Sequence, residues 1–249
     1  MNMKKFNLIT LALLLALLPG LQSCDDDGYS LGDFAVDWAT VRVTNGDTYA
    51  LMGDNWGSLW PAATAVPGYK PVDGQRVLTF FNPLSDNTDG YDHFVKVEWI
   101  RNILTKQVEE LTPENEEEYG NDPILIYKGN MWIDGGYLNI IFTQNLPAKE
   151  KHRISLVRVA SLVDDREDGY VRLELRYNTY GDTIDYWRDG AVSFNLNSLH
   201  LEDFEGMKGI ILKLNSAENG EVEVTFDLKN QAMPESAKKA MLSDEIKVK

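Results

Sequence analysis

The sequence FAVDWATVRVTNGDTYALM, residues 34–52, decides the fold class of the chain. Apolar and polar residues alternate along residues 34–43, which is the pattern of a strand with one buried face. Asn45 and Gly46 then supply a two-residue hairpin turn, because both residue types tolerate a positive φ. Residues 48–52 form the returning strand. We therefore predict an antiparallel hairpin and a protein built from β-strands.

Segments with the same composition recur through the rest of the chain. They are rich in Val, Ile, Leu, Tyr, Phe and Thr, and Gly, Asn, Asp and Pro clusters separate them. Helical periodicity is scarce. About five such segments lie within residues 34–110, which suits a small OB-like barrel. About seven more lie within residues 124–230, which suits a β-sandwich. The predicted fold class is all-β, with a small OB-like barrel followed by a β-sandwich.

A polar stretch at residues 111–123 separates these two halves and contains acids, two prolines and a glycine. Such composition is typical of a linker between domains. Thr112 before Pro113 is a helix-start signal, so one helical turn is expected there. We therefore predict that the chain is divided into a signal peptide (1–23), an acidic tether (24–33), a barrel (34–110), a linker (111–123), a sandwich (124–230) and a tail (231–249).

The pattern of one predicted strand, residues 93–100, predicts the directions of its side chains. Strict alternation places Val95, Val97 and Trp99 on one face. Lys96 falls on the opposite face. The sequence therefore predicts that Trp99 points to the same face of the strand as the two valines.

The first residues have the three parts of a secretory signal. Lys4 and Lys5 supply the positive charge, residues 8–18 are apolar, and Pro19 and Gly20 follow directly. The apolar run is about a dozen residues long, which is short of the roughly 20 that a membrane-spanning helix needs. We predict a targeting segment that is removed from the mature protein.

The residues after this segment, Leu21, Gln22, Ser23 and Cys24, resemble the lipobox of bacterial lipoproteins. The thiol of the cysteine would accept a diacylglyceryl group, and cleavage before it would free an amino group for a third chain. Cys24 is the single cysteine, so an intramolecular disulfide is excluded and an intermolecular one is the alternative. Two or three acyl chains give stable membrane anchoring. The expected partner is therefore a membrane, held through a lipid on Cys24.

Three acids, Asp25, Asp26 and Asp27, follow the cysteine. They resemble the export signal that lipoproteins of the Bacteroidetes carry directly behind the cysteine, which sends them to the outer face of the outer membrane. An acidic tether that serves only to stay solvated is the alternative. We expect a lipid-anchored outer-membrane protein at the cell surface, with the periplasmic leaflet as the other destination.

Charge excludes one large class of partner. The chain contains 24 Lys+Arg and 39 Asp+Glu, a formal net charge of −15, and loss of the signal peptide would remove two lysines. Phosphate backbones require a basic surface. Nucleic acid is therefore not an expected ligand, although a barrel of the OB type often binds it.

Catalytic motifs are absent from the sequence. There is no Gly-x-Ser-x-Gly, no phosphate-binding loop and no His-Glu-x-x-His, and His93, His152 and His200 are scattered singly. We expect no enzymatic activity and no cofactor, and a hydrolase with an unmarked pair of carboxylates stays open. The acidic segments 86–92 and 164–169 lack the ligand spacing of a calcium loop, so solvated loops are the preferred interpretation and calcium is the alternative.

Several large aromatic residues fall in stretches that do not read as regular strands. Trp56, Trp60, Tyr186 and Trp187 are the candidates for ligand contact, and Tyr180 lies nearby. Exposed rings of this kind stack on sugars or fill a partner's pockets. The alternative is that these rings close the ends of the barrel or the sandwich.

The chain resembles the NigD-like lipoproteins of the Bacteroidetes. The resemblance is carried by the lipobox, by the start at residues 24–29, by the adjoining residues 32–54, and by the strand at residues 74–80. It implies an OB-like domain followed by a β-sandwich. It also implies an association with a gene cluster for the bacteriocin nigrescin, without a mechanism.

Only Cys24 carries over as a functional residue of that family. The expected function is a membrane-anchored, non-enzymatic lipoprotein that binds an unknown protein or glycan. A role in bacteriocin production or immunity is the first alternative. A glycan-binding protein or a carboxylate hydrolase is the second.

Overall fold

The computed structural model describes residues 28–30, 32–127, 129–159, 168–200, 207–228 and 234. Nearly all the regular structure within these residues is β-strand. None of the described helices is long and apolar enough to cross a membrane. The all-β fold class predicted from the sequence is confirmed.

Five strands close into a barrel in the order β1-β2-β3-β5-β4. They are β1 (Ala35–Asn45), β2 (Thr48–Gly53), β3 (Gly57–Thr64), β4 (Arg76–Thr88) and β5 (Tyr91–Asn102). β3 and β5 run parallel and the other neighbours run antiparallel. Asn45 pairs with Thr48, and Gly46 has a φ of 56°, which confirms the predicted hairpin.

The interior of the barrel is filled by aliphatic side chains and one phenylalanine. They lie at alternate positions because successive side chains of a strand point to opposite faces. The buried set is Ala39, Val41, Leu51, Leu59, Val77, Phe81, Val95 and Val97. This set leaves the even-numbered residues of β1 and β4 on the outside of the barrel.

Two sheets form the sandwich that follows, with orders β14-β13-β11-β10-β7 and β6-β12-β9-β8. Their strands are β6 (Leu104–Gln107), β7 (Glu109–Leu111), β8 (Met131–Asp134), β9 (Tyr137–Pro147), β10 (Arg153–Val159), β11 (Tyr170–Asn178), β12 (Thr183–Asn195), β13 (Gly209–Ser216) and β14 (Gly220–Asp227). The chain also forms a short helix α1 (Glu116–Tyr119) and a 3₁₀ turn (Asn197–Leu199).

The passage from barrel to sandwich occurs at Ile103, which alone separates β5 from β6. Residues 104–111 already belong to the two sandwich sheets, ahead of the stretch 111–123 that composition marks as a linker. They enter as parallel edge strands, β6 beside β12 and β7 beside β10. Parallel pairing with strands so distant in sequence leaves no local signal, which is why composition does not reveal it.

The sandwich has one large apolar core between its sheets. Its fully buried members come from nearly every strand, and they include Leu138, Ile140, Leu156, Val171, Leu173, Val192, Phe194, Ile210 and Leu212. Tyr119 of α1 is also buried, in a smaller cluster with Leu111 and Val157. The short helix therefore closes one edge of the sandwich rather than forming a free connection.

A third apolar cluster joins the two domains. Trp38 and Leu78 point outward from the barrel and pack with Trp132 and Ile141 of the sandwich. The rings of Trp38 and Trp132 meet edge to face, with 4.9 Å between centroids and 74° between planes. Because both tryptophans are buried, barrel and sandwich share a core.

Trp99 does not follow the predicted alternation. Phe80 pairs with Trp99 and Phe81 pairs with Val97, so Glu98 is an extra residue in β5. This bulge shifts the side-chain alternation by one residue. Val95 and Val97 point into the barrel, whereas Trp99 is exposed on its outside.

The shared core makes a prediction about stability. Trp132→Ala should lower the free energy of unfolding by about 3–5 kcal/mol, because a fully buried indole leaves a cavity between the domains. The matched control is Trp187→Ala, which removes the same side chain from a surface position and should change stability by about 0.5 kcal/mol or less. Urea unfolding followed by circular dichroism measures both, and equal midpoints would contradict the shared core.

Candidate functional site

Two of the predicted contact residues belong to the barrel. The Trp56 ring packs edge-on against the ring of the core residue Phe81, with 5.4 Å between the ring centroids. Its centroid also lies 5.1 Å from that of His93. Trp60 lies in β3, and its ring contacts that of Tyr91 at 4.9 Å. Both indoles are partly buried. The structure gives these two tryptophans packing roles at the surface of the barrel.

The other two predicted residues are exposed and lie in strand β12. Tyr186 is 50% exposed and Trp187 is 54% exposed, and Ile184 beside them is 44% exposed. We call Ile184, Tyr186 and Trp187 the β12 strip. The sequence placed these residues in a loop, and Ile184 was missed. The alternation of Ile184 and Tyr186 with Asp185 is the strand signal that could have found it.

The backbone around the β12 strip is irregular on one side and open on the other. Thr183 pairs with Pro147 and Trp187 pairs with Asn145, so the residues between them bulge away from β9. On its second edge, β12 pairs with β6 only from Val192 to Asn195 within the described residues. The strip therefore lies on an open sheet edge.

An arginine braces the strip. Arg188 donates a hydrogen bond of 2.7 Å from a terminal nitrogen to the Tyr186 hydroxyl. Its guanidinium carbon also lies 5.0 Å from the centre of the tyrosine ring. Because the cation covers a face of the ring, Tyr186 is held in one orientation. Trp187 retains a largely exposed side chain.

The start of β12 is fixed by the turn between β9 and β10. The Asp182 carboxylate accepts backbone hydrogen bonds from Lys149 and Glu150, which hold the pKa of Asp182 below its usual value. His152 contacts the Asp182 carbonyl oxygen at 2.9 Å and the Tyr177 hydroxyl at 2.6 Å. These contacts make the strip a fixed feature of the sandwich.

A second cluster of polar side chains lies between the domains. Arg76 donates two hydrogen bonds, of 2.8 and 2.6 Å, to the carboxylate of Asp54, and both side chains are buried. Trp132 reaches across from the sandwich, with its indole nitrogen 3.4 Å from an Asp54 oxygen. A bidentate pair of this kind is a strong and directional interaction.

The sandwich also covers the arginine. The Arg76 guanidinium carbon lies 5.3 Å from the Tyr137 ring centre and 5.8 Å from that of Trp38. A terminal nitrogen of Arg76 also donates a hydrogen bond to the Thr40 hydroxyl. The Arg76 Nε is buried without a hydrogen-bond partner. The Tyr137 hydroxyl in turn donates to the Gly74 carbonyl oxygen at 2.9 Å. The sandwich thus helps to enclose the two charges of the barrel.

Two carboxyl groups at this boundary have strongly raised pKa values. Burial raises the pKa of Asp37 to about 6, opposed by hydrogen bonds from Asn55 and Trp56 and assisted by the charge of Asp54. Burial also raises the pKa of Asp134 to about 6, again assisted by Asp54 and opposed by the Arg76 cation. Raised carboxyl pKa values often mark catalytic acids. Here they arise where the two domains pack together.

The predicted acidic loops have internal partners where they are described. Asp86 contacts the His93 ring at 2.6 Å, and Asp92 accepts two hydrogen bonds of 2.7 Å from Ser58. Residues 160–167, which include most of the second acidic segment, lie outside the described residues. Within the described part of the chain, no group of three or more potential ligands is placed to hold a metal ion.

The predicted anchor lies outside the described residues. This applies to the whole signal segment with Leu21, Gln22 and Ser23, to Cys24, and to the acidic triplet. Description of the chain begins at Gly28, four residues after the cysteine. The lipid attachment therefore stays a prediction from the sequence.

Two family models match the chain. The model of a NigD-like N-terminal OB domain matches residues 38–103, and that of a NigD-like C-terminal beta sandwich domain matches residues 107–228. These two ranges coincide with the barrel and the sandwich of the structure. No protein with a curated description matches the chain at a significant level.

Several crystal structures are similar along most of their length. A toxin-related protein from Parabacteroides distasonis is 36% identical, covers 80% of this chain and 96% of its own, and has a TM-score of 0.67. A DUF1344 protein of unknown function from Bacteroides vulgatus is 27% identical. The match covers 81% of this chain and 95% of the other, with a TM-score of 0.71. A NigD-like immunity protein from Bacteroides caccae is 20% identical, with 79% and 94% covered and a TM-score of 0.59, and it shows the fold alone.

The raised carboxyl pKa values predict how the melting temperature depends on pH. The folded pKa values of Asp37 and Asp134 are about 6, above the ordinary 3.8, so the folded state binds protons before the unfolded state does. These groups should therefore raise the melting temperature as the pH falls from about 7.5 to about 5.5. Asp134→Asn, neutral at every pH, should reduce that rise.

The matched control is Asp185→Asn, which removes an exposed carboxylate from β12. It should leave the pH dependence of the melting temperature unchanged. A melting temperature that falls over the same interval, or an Asp134→Asn curve parallel to that of the unaltered protein, would contradict the assignment.

Proposed function

The chain belongs to the NigD-like family, and on that premise we propose that it is a lipid-anchored, non-catalytic protein of the outer membrane that binds a protein partner. The observation that carries this proposal is the β12 strip. A braced tyrosine and an exposed tryptophan stand together on an open sheet edge. Large rigid rings of this kind dominate the energetics of protein interfaces.

The chemistry of the strip favours a protein over a glycan. Sugars stack on free aromatic faces, and Arg188 covers a face of the Tyr186 ring. Tyr, Trp and Arg are the residue types that are most enriched at interface hot spots, and they occur consecutively at positions 186–188. The open backbone edge of β12 adds unpaired hydrogen-bonding groups that an extended segment of a partner could use.

A lipid anchor is supported by the sequence before the barrel. The lipobox-like Leu21-Gln22-Ser23-Cys24 follows a signal segment, and the cysteine is the only one in the chain. Asp25, Asp26 and Asp27 have the place and charge of the surface-export signal described above. Together these features support attachment to the outer membrane with the folded domains facing the outside of the cell.

The absence of catalysis is supported by the burial of the unusual carboxyl groups. Asp37 is fully buried, and the Arg76 and Asp54 side chains are 0% and 2% exposed, which argues against direct contact with a substrate. Asp134, whose pKa is also raised, is half-buried. Their environment is explained by the packing of one domain on the other. The strip contains no buried acid, base or nucleophile beside its exposed rings.

A bacteriocin-linked role is the second candidate. It is favoured by the 36% identity to the toxin-related protein from Parabacteroides distasonis. A toxin or its delivery protein would then be the partner of the β12 strip. The partner that is captured in the following experiment therefore separates this role from a general envelope function.

We expect the β12 strip to determine capture of the partner. The lipidated full chain, immobilised in detergent, should retain an envelope protein that Tyr186→Ala/Trp187→Ala retains at least about tenfold less, because hot-spot side chains contribute about 2 kcal/mol or more. Tyr127→Ala is the matched control, since Tyr127 is equally exposed outside the strip. Quantitative mass spectrometry of the eluted proteins measures the ratio.

Three outcomes would contradict this proposal. Equal capture by the wild type and the double variant would remove the strip from the interface. Equal losses in the double variant and Tyr127→Ala would show a general effect of surface aromatics. Specific binding to a glycan array, with no protein captured, would replace the partner by a sugar.

Anchoring and surface display make one joint prediction. Wild-type chain should sediment with membranes after detergent-free lysis, and protease added to intact cells should digest it. Cys24→Ala should be soluble and protected, because without acyl chains it stays in the periplasm. Wild-type chain that sediments but resists the protease would place it on the periplasmic leaflet. Cys24→Ala that still sediments would contradict the lipid anchor.

A further inference from the structure

The outside of the barrel carries a row of three aromatic rings, two of which are exposed among the residues that the structure describes. Phe34 stacks on Phe80 with centroids 5.0 Å apart and planes at 20°, and Phe80 stacks on Trp99 at 6.3 Å and 26°. Phe34 is 50% exposed and Trp99 is 39% exposed. We call Phe34, Phe80 and Trp99 the aromatic ridge.

The ridge is a consequence of the bulge in β5. Without the extra Glu98, the Trp99 side chain would point into the barrel with Val97. The bulge turns it outward beside Phe80, which lies on the same face of β4 as Leu78. Leu78 is buried in the contact with the sandwich, whereas the ridge continues the apolar face beyond that contact.

Cations flank the ridge in an otherwise acidic protein. Lys96 is the partner of Asn82 and Arg101 is the partner of Leu78 in the pairing of β4 with β5, so both lie on the outer face with Trp99. Lys96 also contacts Glu98 at 2.8 Å, and its side chain is 43% exposed. Rings bordered by Lys and Arg fit the boundary between lipid acyl chains and phosphate groups.

The chain directly before the ridge is fixed to the barrel. The Asn82 side-chain amide donates hydrogen bonds of 2.9 and 2.8 Å to the carbonyl oxygens of Ser30 and Asp33. Tyr29 contacts the rings of Trp56 and His93, with both centroids 6.4 Å away. The free part of any tether therefore ends at about Tyr29 rather than at the start of β1.

This leaves little chain between the barrel and Cys24. Four residues lie between Cys24 and Tyr29, and the five steps that join them, at about 3.3–3.6 Å each, span at most roughly 18 Å. If the cysteine is acylated, the barrel cannot move further than that from the bilayer surface. Phe34, which follows the fixed segment, is then among the apolar side chains nearest to the membrane.

We propose that the aromatic ridge inserts into the interface of the bilayer that holds Cys24, with Lys96 and Arg101 at the level of the phosphates. This inference rests on the lipid anchor of the proposed function. It assigns the ridge a lipid surface as its partner and gives the barrel a fixed side towards the membrane. The β12 strip belongs to the sandwich and is left for a soluble or surface-bound partner.

Fluorescence quenching by bromine-labelled lipid tests this proposal. The lipidated full chain is reconstituted in vesicles of phosphatidylethanolamine and phosphatidylglycerol whose acyl chains carry bromine near the headgroup. Trp99→Phe keeps an aromatic ring on the ridge and should lose at least half of the quenching that the wild type shows. Trp187→Phe, which removes the more exposed indole from the sandwich, should retain that quenching.

Flotation of the same vesicles separates the two proposals. Wild-type chain that floats without quenching, or quenching that Trp187→Phe abolishes and Trp99→Phe keeps, would overturn the ridge and leave the anchor intact. Wild-type chain that does not float would overturn both. Equal melting temperatures of the two variants show that neither result comes from unfolding.

Discussion

The arrangement of the molecule depends on one buried ion pair, Arg76 with Asp54. Both residues belong to the barrel domain, and Trp132 and Tyr137 of the sandwich complete the enclosure of their charges. A buried charge that loses its partner is strongly destabilising, so the pair constrains how the two domains can pack. The charge of Asp54 also helps to raise the pKa values of Asp37 and Asp134, for which burial is the main cause.

Local sequence patterns predicted the architecture well, because each depends on neighbouring residues. The hairpin at Asn45 and Gly46, the all-β class, the two domains and the family all follow from alternation, turn chemistry and the lipobox context. The predictions failed where strand pairing, and not the local pattern, determines the position of a residue. One extra residue, Glu98, turned Trp99 outward, and β6 and β7 joined the sandwich through partners that lie far along the chain.

Two of the four predicted contact residues belong to the β12 strip, and Ile184 is the strip residue that was not predicted. Tyr186 and Trp187 were found because large rings outside a clear apolar pattern are unusual, whereas Trp56 and Trp60 share that feature and pack against the barrel. Exposure is a property of tertiary packing, and composition alone does not distinguish the two pairs. The pairing of Arg76 with Asp54 had no signal in the sequence, since Arg76 begins β4 and Asp54 lies in the turn between β2 and β3.

The single residue between β5 and β6 has a consequence for how the protein is made. The barrel is complete once Asn102 has emerged, but β6, which follows directly, finds its partner only in β12, at residues 192–195. Contacts this distant in sequence form slowly. A barrel that closes first therefore waits with Trp38 and Leu78 uncovered, and that interval is when the folding chain most needs a chaperone.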